Sequence, residues 1–188
     1  MFSTYFQLGW HHIANLLAYD HLVFILAMSA GKSFKDWKKL AILVTAFTIG
    51  HSVTLALGTL RIVIIPTAII EFLIPATILA TALFHLFTKF RDQGKFLYIM
   101  VLLFGLIHGL GFSNFLVQTL SSEESILVPL LGFNLGLEVG QLLILSVFLV
   151  ISQLVSRVFG FPANDWAIYV CGLASGIAMI LMINTKFW

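Results

Sequence analysis

Seven residues that can do chemistry stand inside stretches that are otherwise almost wholly apolar: His12, Asp20, His21, His51, Glu71, His108 and Glu138. A charge in hydrocarbon costs at least ~2.5–3.5 kcal/mol on insertion scales, so ionisable groups placed there face a protein interior and serve a function. Imidazole nitrogens with carboxylate oxygens make a borderline donor set suited to zinc, nickel, cobalt, iron or copper(II), whereas magnesium or calcium would want oxygen alone. On this reading Asp20, His21, His51, His108 and Glu138 ligate an ion. His12, Glu71, Asn134, Gln141 and Ser52 serve as alternative ligands or orient the ligands through hydrogen bonds. The plainer alternative is that the same groups bond one another to fix helix packing. His11 and His85 read as interfacial, and the phenylalanines as packing or lipid-facing residues. Cys171 has no partner cysteine, which excludes a disulfide framework and a thiolate cluster.

Helices in a bilayer must position these residues. The 188-residue chain is 60% hydrophobic and only 10% charged, with a mean hydropathy of +1.05, where soluble domains carry roughly 25% charged residues. So few charges cannot cover a water-soluble surface. The net charge of +2 gives no reason to expect a nucleic-acid partner. A bilayer core needs roughly 20 apolar residues per helix, and the sequence predicts six such spans near residues 10–30, 37–60, 63–88, 96–112, 127–155 and 166–185. The expected architecture is an all-α integral membrane protein, a single transmembrane domain over residues 1–188 in a compact bundle. The segment from Met1 to Trp10 lacks a basic start, so the first span is expected to be retained rather than cleaved.

Lysine and arginine in short loops set orientation. Lys32, Lys35, Lys38 and Lys39 follow the first span, Lys89, Arg91 and Lys95 the third, and Arg157 the fifth. The opposite loops hold Arg61 and the pair Glu123-Glu124, with Lys186 at the end of the chain. The odd loops are therefore expected in the cytoplasm and both termini outside. A rise of ~1.5 Å per residue puts Asp20 and His21 roughly 15 Å from the outer surface, His51 about 12 Å, Glu71 about 13 Å, His108 about 6 Å and Glu138 about 16 Å. Helices of opposite direction thus place polar groups in one layer of the outer half, facing the extracytoplasmic side.

Local spacing adds detail. Asn134, Glu138 and Gln141 make a polar stripe on the fifth span. Gly132, Gly136 and Gly140 make a small-residue stripe on roughly the opposite face, suited to close helix contact, and glycine faces of this kind suggest a homo-oligomer or accessory subunit. Pro75, four residues after Glu71, leaves the Glu71 carbonyl without a helical partner and should kink the third span. Gly105 and Gly109 flank His108 and allow a neighbouring helix to approach it. Phe47–His51 and Phe104–His108 share an F-x-x-x-H pattern, too short to define a repeat.

These same segments carry a family resemblance. His11-His12-Ile13, Ala18-Tyr19-Asp20-His21-Leu22-Val23-Phe24, Phe47-Thr48-Ile49-Gly50-His51-Ser52, Glu71-Phe72-Leu73-Ile74-Pro75, Phe104-Gly105-Leu106-Ile107-His108-Gly109-Leu110-Gly111-Phe112 and Leu135-Gly136-Leu137-Glu138 resemble the HupE/UreJ membrane proteins, most of all the compact branch found in Bacteroidetes-type bacteria. The resemblance spans about five of the six expected helices. It implies handling of a divalent transition metal, nickel or cobalt above all, with His12, Asp20, His21, His51, Glu71, His108 and Glu138 at matching positions. There is one departure: seven residues separate His12 from Asp20, more than in the family's helix-one signature. On a continuous helix this sets His12 nearly half a turn from the expected place.

Three functions compete. A permease would admit nickel, cobalt or a related ion; no polar layer in the inner half, where His85 is nearly alone, marks an exit. An intramembrane hydrolase would hold zinc with an open position and use a spare glutamate as base, with Ser52 positioning a carbonyl. An accessory subunit or sensor would bind metal without turnover.

Overall fold

Helix is the only regular element among the described residues, as hydrocarbon demands of a backbone that must satisfy its own polar groups. The structure, a computed structural model, describes residues 2–15, 19–90, 94–119 and 126–188. Seven α-helices follow in order: α1 (Phe2–Ala14), α2 (Asp20–Ser29), α3 (Trp37–Thr59, entered through a 3-10 turn at Phe34–Asp36), α4 (Thr67–Phe87), α5 (Gly94–Thr119), α6 (Leu127–Val158) and α7 (Ala163–Asn184). Five of them, α3 to α7, are long and apolar enough to cross a membrane. On α6, Leu131, Leu135, Val139, Leu143 and Val147 follow at four-residue steps, and each is 45–59% exposed. An outward apolar ridge of this length is what a helix presents to lipid. The chain is a multi-pass membrane protein.

The first expected span, residues 10–30, is not one helix. α1 begins at Phe2, well before the expected boundary, and ends at Ala14; α2 starts afresh at Asp20 and lasts ten residues. The other spans agree within a few residues, except that α5 runs on to Thr119. Just past the expected end at residue 112, Ser113 Oγ donates to Leu110 O at 2.9 Å, and Asn114 Nδ2 donates to Thr67 Oγ1 at 3.3 Å. Their polarity is absorbed locally and the helix continues. α4 passes uninterrupted through the buried Pro75. Arg91, Asp92, Glu123 and Glu124 lie outside the described residues.

The glycines set which helices meet. α1 packs chiefly on α6, and α3 chiefly on α5. A methyl added at Gly136 would run into the backbone oxygen of Phe6, and one at Gly132 or Gly140 would strike Phe2 or Ile13, so the α6 glycine stripe is a seat for α1. Likewise a methyl at Gly105 or Gly109 would strike the backbone oxygen of Phe47 or His51, which presses α3 onto α5. The faces expected to hold another subunit are therefore filled inside the chain. Connections α2–α3, α4–α5 and α6–α7 gather Lys32, Lys35, Lys38, Lys39, Lys89, Lys95 and Arg157 at one end of the bundle, here the basic end.

Candidate metal site

The two glycine seats deliver the histidines. Seating α1 on α6 carries His12 inward beside Phe133, and pressing α3 on α5 carries His51 and His108 to one interface. α2 brings His21 between them. The ring of His21 lies 4.8 Å from that of His12, 5.2 Å from that of His108 and 6.3 Å from that of His51, centroid to centroid. His12, His21 and His51 each offer a ring nitrogen within 4.8 Å of the other two. Among the described residues this is the one such group of potential metal donors. Nitrogens about a tetrahedral ion at ~2.0–2.1 Å stand roughly 3.3 Å apart, so a contraction of up to about 1.5 Å would close the trio on a metal.

Hydrogen bonds fix which nitrogen His21 and His108 present. His21 Nδ1 lies 3.1 Å from Asp20 Oδ1. A carboxylate only accepts, so the proton sits on Nδ1 and the lone pair of His21 is on Nε2. That atom is buried with no hydrogen-bond partner. Thr77 Oγ1 donates to Ile74 O at 2.7 Å and meets His108 Nε2 at 2.9 Å. Its single proton being committed to the carbonyl, the hydroxyl accepts from His108, whose lone pair is then on Nδ1, also buried and unpartnered. His12 Nε2 and both nitrogens of His51 share that condition, with Asn134 the polar side chain facing His51 from α6. Buried polar atoms are nearly always satisfied. So many orphaned imidazole nitrogens in one place suit a site shaped for a cation, and they suit poorly a set that merely bonds itself.

Aromatic rings wall the cluster. Phe112 stands 4.2 Å and Phe133 5.6 Å from the His12 ring, while Phe47 and Phe24 stand 5.0 and 5.4 Å from His108. From sequence these four carry no more than a packing or lipid-facing role. For Phe47 the F-x-x-x-H pattern is a signal, since it stacks that ring one turn below His51 on α3.

The remaining candidates are placed elsewhere. Glu138 accepts from Thr45 Oγ1 at 2.7 Å, and Gln141 Oε1 accepts from Thr48 Oγ1 at 2.9 Å, so both tie α6 to α3. Ser52 Oγ donates to Thr48 O of its own helix at 2.6 Å. Glu71 is exposed and lines a cavity of about 210 Å3 with Tyr19, Asp20, Pro75 and Thr185, at the end of the bundle opposite the basic loops. Asp20 thus has one face toward this cavity and one toward His21. His12, expected as an alternative ligand nearly half a turn from the family's place, belongs to the trio because α1 ends at Ala14 and α2 starts afresh at Asp20.

Five long apolar helices and a buried, phenylalanine-walled set of histidines define a multi-pass membrane protein with a candidate intramembrane cation site. A family model described as HupE / UreJ protein matches residues 1–188, and the chain belongs to that family. No curated protein and no solved structure matched the chain.

Proposed function

We propose that this protein is a permease whose cargo is a divalent transition-metal ion of the nickel or cobalt type, bound in transit by His12, His21 and His51 with His108 beside them. The observation that carries this reading is the group of orphaned imidazole nitrogens, three of them within 4.8 Å of one another. Neutral imidazoles in an apolar cage suit such ions. The association of HupE/UreJ proteins with nickel and cobalt supplies the metal class.

Two features favour passage over a closed site. The first span is discontinuous, with Asp20 and His21 in the opening turn of α2, and broken helices near the midplane are where transporters commonly place ion sites. Beyond the cluster, Thr77, Thr81 and His85 recur every four residues on α4, all buried, and lead from His108 toward the basic end. His85 is fully buried among helices in the last turn of α4. The positive-inside rule puts the basic end in the cytoplasm, so the Asp20–Glu71 cavity opens outward and collects cations for the cluster. In a bacterium that face is periplasmic.

Uptake into sealed proteoliposomes tests the proposal. Ni2+ or Co2+ should accumulate with saturation, and His21→Ala should abolish it. Tight metal binding without transfer across the membrane would overturn the permease in favour of a hydrolase or a binding subunit.

A further inference from the structure

At the basic end, between α6, the start of α7 and the α2–α3 connection, lies a cavity of about 450 Å3 that the metal site does not use. Its rim carries three cations, Lys32 and Lys35 from the α2–α3 connection and Arg157 from the last turn of α6. The one carboxylate on that stretch, Asp36, is engaged by the backbone and hydroxyl of Ser33 at 3.0 and 3.1 Å in a capping box. Among the described residues no carboxylate stands within ion-pair distance of Lys32, Lys35 or Arg157. With its amide oxygen turned to the guanidinium, Gln153 accepts from Arg157 Nη2 at 2.9 Å and holds it one turn along α6. Trp166 Nε1 donates to Ser152 Oγ at 3.0 Å, fixing the indole against the same wall.

The floor is of opposite character. Phe148 and Leu149 are buried beneath the polar rim, with Phe34 also lining the recess, and the chain just outside exposes Trp37, Leu154 and Phe159. Trp37 and Trp166 mark the level where indoles settle in a bilayer, at the boundary of headgroups and acyl chains. The backbone is bent to make this recess: Gly31 has φ +74° and Gly160 φ +64°, and both turns fold the connections back over the helix ends. A cationic rim with donor side chains above an apolar floor, at the interfacial level, matches one amphipathic anion.

We propose that this recess binds the phosphate headgroup of an anionic phospholipid, with the acyl chains running down the outer faces of α6 and α7. Basic pockets between transmembrane helices select such headgroups. The apolar floor argues for a lipid rather than a free phosphate, which would gain nothing from Phe148 and Leu149. The site is independent of the metal reading and stands or falls separately.

Native mass spectrometry of the detergent-purified chain titrated with phosphatidylglycerol, phosphatidylcholine or inorganic phosphate tests it. Phosphatidylglycerol should bind one per chain and outlast phosphatidylcholine. The triple variant Lys32→Gln/Lys35→Gln/Arg157→Gln should bind it roughly a hundredfold more weakly, and Arg157→Gln alone about fivefold. Lys89→Gln/Lys95→Gln, at the same end but outside the recess, should bind as the wild type does. Melting of each variant in lipid-free detergent verifies that the fold is kept. Should the triple variant fail to melt cooperatively, Arg157→Gln carries the comparison. Equal affinity for phosphatidylcholine, unchanged binding in the variants, an equal loss in the Lys89/Lys95 control, or displacement by millimolar inorganic phosphate would each overturn the assignment.

Discussion

One carboxylate oxygen of Asp20 holds His21 at both ends, 3.1 Å from the ring Nδ1 and 2.8 Å from the backbone nitrogen. The imidazole is thereby locked in one tautomer with Nε2 turned to the cluster. A carboxylate behind a ligating histidine raises its basicity and fixes its orientation, and losing such a partner typically costs 10–100-fold in metal affinity. Asp20→Asn should therefore weaken Ni2+ or Co2+ binding by about that factor, while His21→Ala removes it. Calorimetric titration distinguishes the two; equal effects would make Asp20 a ligand itself.

Thr77 does for His108 what Asp20 does for His21, by accepting its Nε2 proton. Thr77→Val keeps the volume and deletes the acceptor. Metal affinity should fall, again by about 10–100-fold if His108 joins the ion, with no loss of thermal stability. An unchanged affinity would place His108 among the walls of the site instead.

Glu138 is held by Thr45 and so acts as a strut between α6 and α3. Interhelical hydrogen bonds in membranes average about 0.6 kcal/mol, reaching roughly 1.7. A double-mutant cycle of Thr45→Ala and Glu138→Ala should give a coupling in that range, and Glu138→Ala should leave metal stoichiometry intact. Loss of the ion in Glu138→Ala would return this residue to the ligand set.

Glycine replacements separate the seats of the site from open lipid-facing glycines. Gly109→Ala forces a methyl onto the His51 carbonyl and Gly136→Ala onto that of Phe6, whereas Gly172 has open space around it. Overpacking of this kind typically costs 1–3 kcal/mol. Thermal melting should drop for the first two and stay put for Gly172→Ala.

Hydropathy made the spans legible, because a bilayer leaves a helix few alternatives. The depth estimates also brought His21, His51 and His108 to one layer, and these three do meet. The break in the first span was hidden. Between Trp10 and Ala30 there is neither glycine nor proline, so nothing local announces that α1 stops at Ala14 and turns its seat to α6. Because α1 ends at Ala14 and α2 begins at Asp20, the angle between His12 and Asp20 does not follow from the seven residues between them. The polar stripe of α6 was visible, but a stripe does not name its partner, and for Glu138 and Gln141 the partners are threonines of α3.

His85 separates transport from mere binding. It lies at the far end of the α4 polar line, buried and away from the trio. His85→Ala should retain equilibrium metal binding and lose most uptake, with Thr81→Val reducing uptake in the same sense. Full uptake by both variants would remove α4 as the route.

The central claim is that the orphaned histidines hold a metal ion, and titration of the metal-free purified chain with Ni2+, Co2+ and Zn2+ tests it most directly. The wild type should bind one ion per chain, and His12→Ala, His21→Ala and His51→Ala should each lose that binding while melting as folded proteins. Absence of binding by the wild type, or undiminished binding by all three variants, would contradict it.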